Sequence, residues 1–330
     1  MFFHPSLVSF FFFLFVSIYM MVSVSSWFFV WFFIEMNLLC FIPLINSKKN
    51  KYVTESSLKY FLMQALSSII LMIGIVFMYI GLDFFIFFII GSLSIKLGVA
   101  PFHQWMVNIS ESFSWMLLFV LLTVQKMGPF ILLGYSVVDV NKASILVLFL
   151  SFSSALVGAL GGLFTSSLRK ILVFSSISHN SWMILAVSVS VYTWLVYFLI
   201  YVFVFFSVIY LFSSYNVYSL GQLFLKLNSL DLLCGSVFIL SLGGLPPLTG
   251  FIPKMFLIKE FMGVYNYFVF FFLLASVFIS LFFYSRVFVL NFMYMCSKNM
   301  ALSGTTSKAG FFLFFNLAGF FILPFVCLFS

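Results

Sequence analysis

Apolar runs, each near the ~20 residues a helix needs to cross a bilayer, follow one another along this chain almost without a break. Eleven can be read, at roughly 5–24, 25–45, 57–80, 83–107, 112–135, 143–166, 168–188, 190–213, 230–262, 265–292 and 308–329. Hydrocarbon offers no partner to a bare peptide group, so the backbone inside each run has to satisfy itself. The alternating pattern of barrel strands is missing, which leaves helices. The expected fold is therefore an all-α polytopic membrane protein of about eleven transmembrane helices, a single membrane domain over 1–330. Composition excludes the soluble alternative: 65% of the residues are hydrophobic and 7% charged, and no water-facing surface can be built from that ratio.

The loops carry a charge bias. Lys48, Lys49, Lys51 and Lys59 follow the second run, Arg169 and Lys170 the sixth, Lys226 the eighth, and Lys298 and Lys308 the tenth. The odd junctions hold Asp83, Asp139, Lys142, Lys259 and Glu260, which nearly cancel. The positive-inside rule then places the N-terminus and the even junctions inside and the C-terminus outside. No basic stretch precedes the first run and no Arg-rich amphipathic leader is evident, so the chain is expected to be inserted where it is made.

Runs one to five (about 5–135) and six to ten (about 143–292) read as a repeat, with 308–329 as a final helix. Lys96 falls in the fourth run of one set and Lys254 in the fourth run of the other, each beside helix breakers: Gly98 and Pro101 in the first, and Gly243, Gly244, Pro246, Pro247, Gly250 and Pro253 in the second. Glu35 and His179 fall in the two second runs. Five is odd, so the sets cross in opposite senses, the layout of inverted-repeat transporters with broken helices at the ion site.

Glu35, Lys96, Lys126 and Lys254 lie near the middle of apolar runs. A charge at that depth costs at least ~2.5–3.5 kcal/mol, and a spaced series of them reads as a proton or ion path. Lys96 lies in SIKLGVAPFHQW (Ser94–Trp105), where Pro101 removes a ladder donor and crowds the Leu97 carbonyl. Removing water from an ammonium disfavours its charged form, which is what lets a buried lysine give and take protons. Glu35, in WFFIEMNLLCFIPLI, needs a partner, and Lys96 is the candidate; a pair that opens and closes can drive a proton off the lysine. Lys126 stands in LTVQKMGPF, with Gln125 to order water and Pro129 to loosen the helix. Lys254 ends LSLGGLPPLTGFIPK, a string that cannot persist as regular helix, and reads as an exit-side group. His179, in SLRKILVFSSISHNSW, sits on a hydroxyl-rich strip suited to a relay; His103 is a weaker candidate of the same kind. The plainer readings are snorkelling for the lysines, a fixed ion pair for Glu35 and local satisfaction for the histidines. Arg169, Lys170 and Arg286 are expected at the inner headgroups, and Glu111 and Asp231 as solvated groups.

Other chemistry has no residues to carry it. The four cysteines form no C-x-x-C pair, the three histidines offer no haem clamp, and neither a Walker A string nor GxGxxG occurs. No basic–aromatic patch for nucleic acid lies outside the runs. A proton path without a motor of its own implies a partner that supplies the drive.

These strings together resemble the antiporter-like membrane subunits of respiratory complex I, mitochondrial NADH dehydrogenase. The likeness rests on the Glu35 run with Asn37 and Pro43, KYFLMQALSS (Lys59–Ser68), the Lys96 string with PFHQW, LTVQK, SLRKILVFSSISH and LSLGGLPPLTGF, in that order. It implies a fold of two inverted five-helix repeats plus a final helix. It also implies a coupling pair at Glu35 and Lys96, a central lysine at Lys126 and an exit lysine at Lys254. Val124, Asn180–Ser181 and Met255 depart from the family's usual Trp, Met-Gly and Trp without touching those four. The resemblance further implies a multi-pass place in the mitochondrial inner membrane, with phospholipid and other complex I membrane subunits, neighbouring antiporter-like ones included, as partners. NADH, FMN, Fe–S clusters and ubiquinone are then expected in other subunits, with no cofactor in this chain. A subunit of a multi-subunit cation/proton antiporter and a structural membrane scaffold are the competing readings.

Overall fold

The apolar runs become helices, and glycine, proline and local caps decide where each stops. The computed structural model describes residues 5–47, 50–138, 143–262, 267–297 and 307–319. Lys48, Lys49, Asp139, Lys142 and Lys298 of the charge bias, and 320–329 of the final expected span, lie outside the described residues. In chain order the helices are α1 Pro5–Ser23, α2 Trp27–Ile45, α3 Lys51–Ile80, α4 Phe85–Leu97, α5 Gln104–Ser110, α6 Trp115–Leu122, α7 Val124–Val138, α8 Ala143–Leu163, α9 Leu168–Val189, α10 Val191–Tyr215, α11 Leu220–Lys226, α12 Ser229–Gly243, α13 Phe251–Met262, α14 Tyr267–Ser297 and α15 Ser307–Leu317. Besides helices, the described residues hold one isolated bridge, Ser167 to Ser219.

Among the described residues eight helical stretches are long and apolar enough to cross a membrane, with α6 and α7 together forming one of them. The expected fourth and ninth runs are each broken in two, as α4 with α5 and α12 with α13. α4 stops where Gly98 takes a φ of 64°: Gly98 N–H donates to Ile95 O at 3.1 Å and Val99 N–H to Ser94 O at 3.0 Å, a left-handed glycine cap. Lys96 therefore sits in the last turn of a helix, at the negative end of its dipole. α12 stops in the same way at Gly244, φ 75°, and Lys254 follows in the first turn of α13. The two lysines thus flank their breaks on opposite sides.

The expected fifth run, 112–135, is also interrupted, which its sequence does not announce. Thr123 leaves helical geometry (φ −123°, ψ −76°), and both its amide and its hydroxyl go to Phe119 O, at 3.0 and 2.6 Å. α11 is a further short helix inside a junction expected as loop.

Two compact units form, Met1–Ser153 and Ser154–Ser330. Within the first, α3 packs on α2, α4 and α5, while α7 packs on α1, α4 and α6. Within the second, α12 packs on α10, α14 and α15, and α9 on α10, α13 and α14. Large apolar side chains such as Phe12, Phe271, Phe278 and Phe282 point outward, a surface suited to lipid rather than water. Several buried serine hydroxyls are satisfied within their own helices: those of Ser67, Ser92, Ser175, Ser176 and Ser207 each donate to the carbonyl three residues earlier.

Candidate functional site

In the first unit the end of α4 brings Lys96 against the middle of α3. Its Nζ donates to the Gln64 carbonyl at 3.4 Å, an oxygen that also accepts from Ser67 Oγ at 2.6 Å. From α7, Gln125 Nε2 donates to Asn37 Oδ1 of α2 at 3.1 Å. Lys126 is 2% exposed. Lys96 and Lys126 line one cavity of about 30 Å³ with Asn37, Tyr60, Gln64 and Gln125. A volume of that size holds about two water molecules, and amide and amine groups supply their partners. Glu35 is partly buried and lies within electrostatic reach of Lys96, but the two do not close into an ion pair. The partner that the sequence suggested for Glu35 is thus near it but not bonded to it.

The second unit gathers His179 and Lys254 at the break between α12 and α13. The glycine–proline string ends the α12 ladder and leaves its last carbonyls without amide donors. His179 Nε2 lies 3.1 Å from Leu242 O, and Lys254 Nζ donates to Gly243 O at 2.7 Å. The other imidazole nitrogen, Nδ1, lies 2.8 Å from the Tyr197 hydroxyl. A carbonyl can only accept, so neutral His179 carries its proton on Nε2 and accepts from Tyr197. Both groups are buried, at 7% and 6% exposure. In the hydroxyl-rich strip beside His179, Ser175, Ser176 and Ser178 donate back into α9 and keep their lone pairs for acceptance.

Three residues take places that sequence did not foresee. Asp231, expected to be solvated, is fully buried and accepts a hydrogen bond from the Tyr215 hydroxyl, while its Oδ1 has no partner among the described residues. Arg286, expected at headgroups, donates to Leu163 O at 3.0 Å and Thr165 O at 2.6 Å and so caps the end of α8. Arg169 stacks over the Tyr218 ring at 4.2 Å. His103 Nδ1 lies 3.2 Å from Pro101 O, beside the α4 break. Among the described residues no group of three or more His, Cys, Asp or Glu side chains is placed to hold a metal.

The chain that carries these sites is similar to known proteins. Residues 24–83 and 80–282 match the family model described as NADH:quinone oxidoreductase/Mrp antiporter, transmembrane. NADH-ubiquinone oxidoreductase chain 2 of Anopheles gambiae is 37% identical over 290 residues, covering 84% of this chain and 83% of that one. A chain in the structure of respiratory complex I from Thermus thermophilus superposes with a TM-score of 0.77 at 19% identity, over 97% of this chain and 80% of that one. A chain of the Mrp complex from Dietzia sp. gives 0.67 at 18% identity, over 85% of this chain and 57% of that one. The chain belongs to the NADH:quinone oxidoreductase/Mrp antiporter membrane family.

Proposed function

We propose that the chain is a proton-translocating, antiporter-like membrane subunit of respiratory NADH:ubiquinone oxidoreductase. It sits in the mitochondrial inner membrane with its N-terminus on the matrix side and its C-terminus on the intermembrane-space side. Neighbouring membrane subunits and phospholipid surround it, and the NADH, FMN, Fe–S and ubiquinone chemistry belongs to other subunits. Residues 5–135 and 143–292 are read as inverted repeats, with a final helix at 308–329.

The observation that carries this reading is the cavity shared by Lys96 and Lys126. Redox energy released elsewhere shifts the charge at one end of the subunit, and Glu35 closes on or opens from Lys96. The lysine then passes a proton toward Lys126, and from there Lys254 releases it, with His179 as a relay beside that exit. A proton crossing in this way works against ~2.3 kcal/mol per 100 mV.

The 37% identity over most of both chains favours the oxidoreductase over a cation/proton antiporter, since the Mrp likeness at 18% identity speaks to fold alone. Copurification with a large NADH-oxidising assembly separates those two. Lys126→Met in that assembly is expected to preserve assembly and lower proton output. Normal output would reject the relay and leave the scaffold reading.

A further inference from the structure

A second cavity, of about 420 Å³, opens beside the first along the same two helices. Glu55, Ser56 and Lys59 of α3 line it with Asn108, Glu111 and Ser112 at the end of α5. Further along those helices, Tyr60 and Gln64 of α3 and Trp105 of α5 line the lysine cavity. Ser56, Tyr60 and Gln64 are four residues apart and share one helix face, each step rising ~6 Å. The outer, acid-lined space and the inner, lysine-lined space are therefore stacked along α3.

Between Ser56 and Gln64 on that face stands Tyr60, in an aromatic cluster. Tyr60 packs against Phe41 with ring centroids 5.2 Å apart and against Trp105 at 6.0 Å, and Phe41 packs against Phe113 at 6.4 Å. All four rings are buried. Trp105 is held by its Nε1–H donating to Ile95 O at 3.1 Å, at the end of the Lys96 helix. Phenylalanine has no exchangeable proton, and indole only donates. A phenol both donates and accepts, so Tyr60 alone among the four can pass a proton on. Its hydroxyl makes no hydrogen bond to a described residue.

We propose that the Glu55–Glu111 vestibule is the proton-uptake mouth for the Lys96–Lys126 cavity, and that the Tyr60 hydroxyl is the step through the aromatic wall between them. This deepens the proton-translocating reading and rests on it. Glu55 and Glu111 place acceptor oxygens at the entrance, and the Lys59–Glu55 pair, 2.6 Å apart, keeps the mouth polar. Lys51 and Lys59 lie at the same end of α3, in a junction the positive-inside rule places on the uptake side. The wall keeps the two spaces from joining into one water column, through which protons would run back. The transfer is balanced: Tyr60 O–H gives its proton inward to a water or amine of the cavity as its oxygen receives one from a vestibule water.

The test uses the assembled complex in sealed vesicles, driven by NADH, with pumping measured in H2O and in D2O. Tyr60→Phe keeps the ring and removes the hydroxyl. It is expected to slow proton translocation at least about threefold with assembly intact, and to change the solvent isotope effect. Wild-type pumping and isotope effect in Tyr60→Phe, alongside arrest in Lys126→Met, would overturn the uptake route while keeping the relay. Wild-type pumping in both variants would overturn the relay itself. Accessibility gives a second readout that does not need the Tyr60 variant. Of the natural cysteines, Cys40 and Cys234 are buried. Asn108 is an exposed residue of the outer space, whereas Gln64 is buried. A membrane-impermeant methanethiosulfonate added on the uptake side should modify Asn108→Cys at least about tenfold faster than Gln64→Cys. Equal rates would remove the wall, and an inert Asn108→Cys would remove the mouth.

Discussion

His179 and Lys254 end on adjacent peptide carbonyls: Nε2 of the histidine lies 3.1 Å from Leu242 O, and Nζ of the lysine 2.7 Å from Gly243 O. One helix break thus serves two titratable groups from two other helices, α9 and α13. The lysine keeps donors for its carbonyl whether charged or neutral, so its contact survives loss of a proton. The histidine behaves differently. Charging the imidazole turns Nδ1 into a donor, and the Tyr197 hydroxyl, 2.8 Å away, must then turn round to accept. The protonation of His179 is therefore tied to the direction of one hydroxyl.

Tyr197→Phe removes that hydroxyl and leaves Nδ1 without its donor. The complex is expected to assemble, and its pumping rate to fall about threefold through the slowed relay. Proton-pumping assays on vesicles check this; an unchanged rate would leave His179 a packing residue.

Gly244→Ala attacks the break itself. At φ 75° a side chain costs ~1–2 kcal/mol, and its Cβ would stand 2.8 Å from Lys254 Nζ and 3.0 Å from Lys254 Cδ and Cε. The expected result is a lower thermal midpoint of the assembled complex together with weaker pumping. Gly221→Ala is the control: a Cβ there meets nothing within 4 Å and should leave both unchanged.

Arg286→Lys tests the α8 cap. The guanidinium reaches Leu163 O and Thr165 O at once, whereas an ammonium holds a single point. A loss of ~1.5–3 kcal/mol is expected for the charged hydrogen bond given up. Thermal melting of the complex reads it, with pumping per assembled complex unchanged.

Asn316→Ala tests how the α15 helix is held. Asn316 is fully buried, accepts from Ser241 Oγ at 2.7 Å and donates to Ser207 Oγ at 3.3 Å. Removing it gives up two buried hydrogen bonds, about 0.5–1.5 kcal/mol each, while both hydroxyls keep carbonyls of their own helices. Hydrogen exchange across Ser307–Leu317 is expected to quicken, with α1 and α2 unaffected.

The length of each apolar run showed where helices form, and strings such as LSLGGLPPLTG showed where they break, because glycine and proline act on their own backbone. The position of Lys96 beside a break was legible for the same reason. What a side chain meets on another helix was not. These helices are apolar nearly all round, so periodicity marks no inner face from which register could be read. Lys96 therefore finds the Gln64 carbonyl instead of Glu35, Arg286 finds the end of α8, and Asp231, which looks like an ordinary first-turn residue of α12, is sealed against Tyr215. The Thr123 interruption was hidden too: it depends on a threonine bonding its own preceding turn, a choice the apolar sequence around it does not signal.

The most direct measurement is the number of protons moved per NADH oxidised by assembled complex carrying Lys126→Arg. Arginine keeps the positive charge in the buried cavity but does not deprotonate in proteins. A relay through Lys126 predicts a clear fall in that ratio with the complex intact. A ratio equal to wild type would mean that the charge alone matters at Lys126, and would contradict proton passage through the cavity.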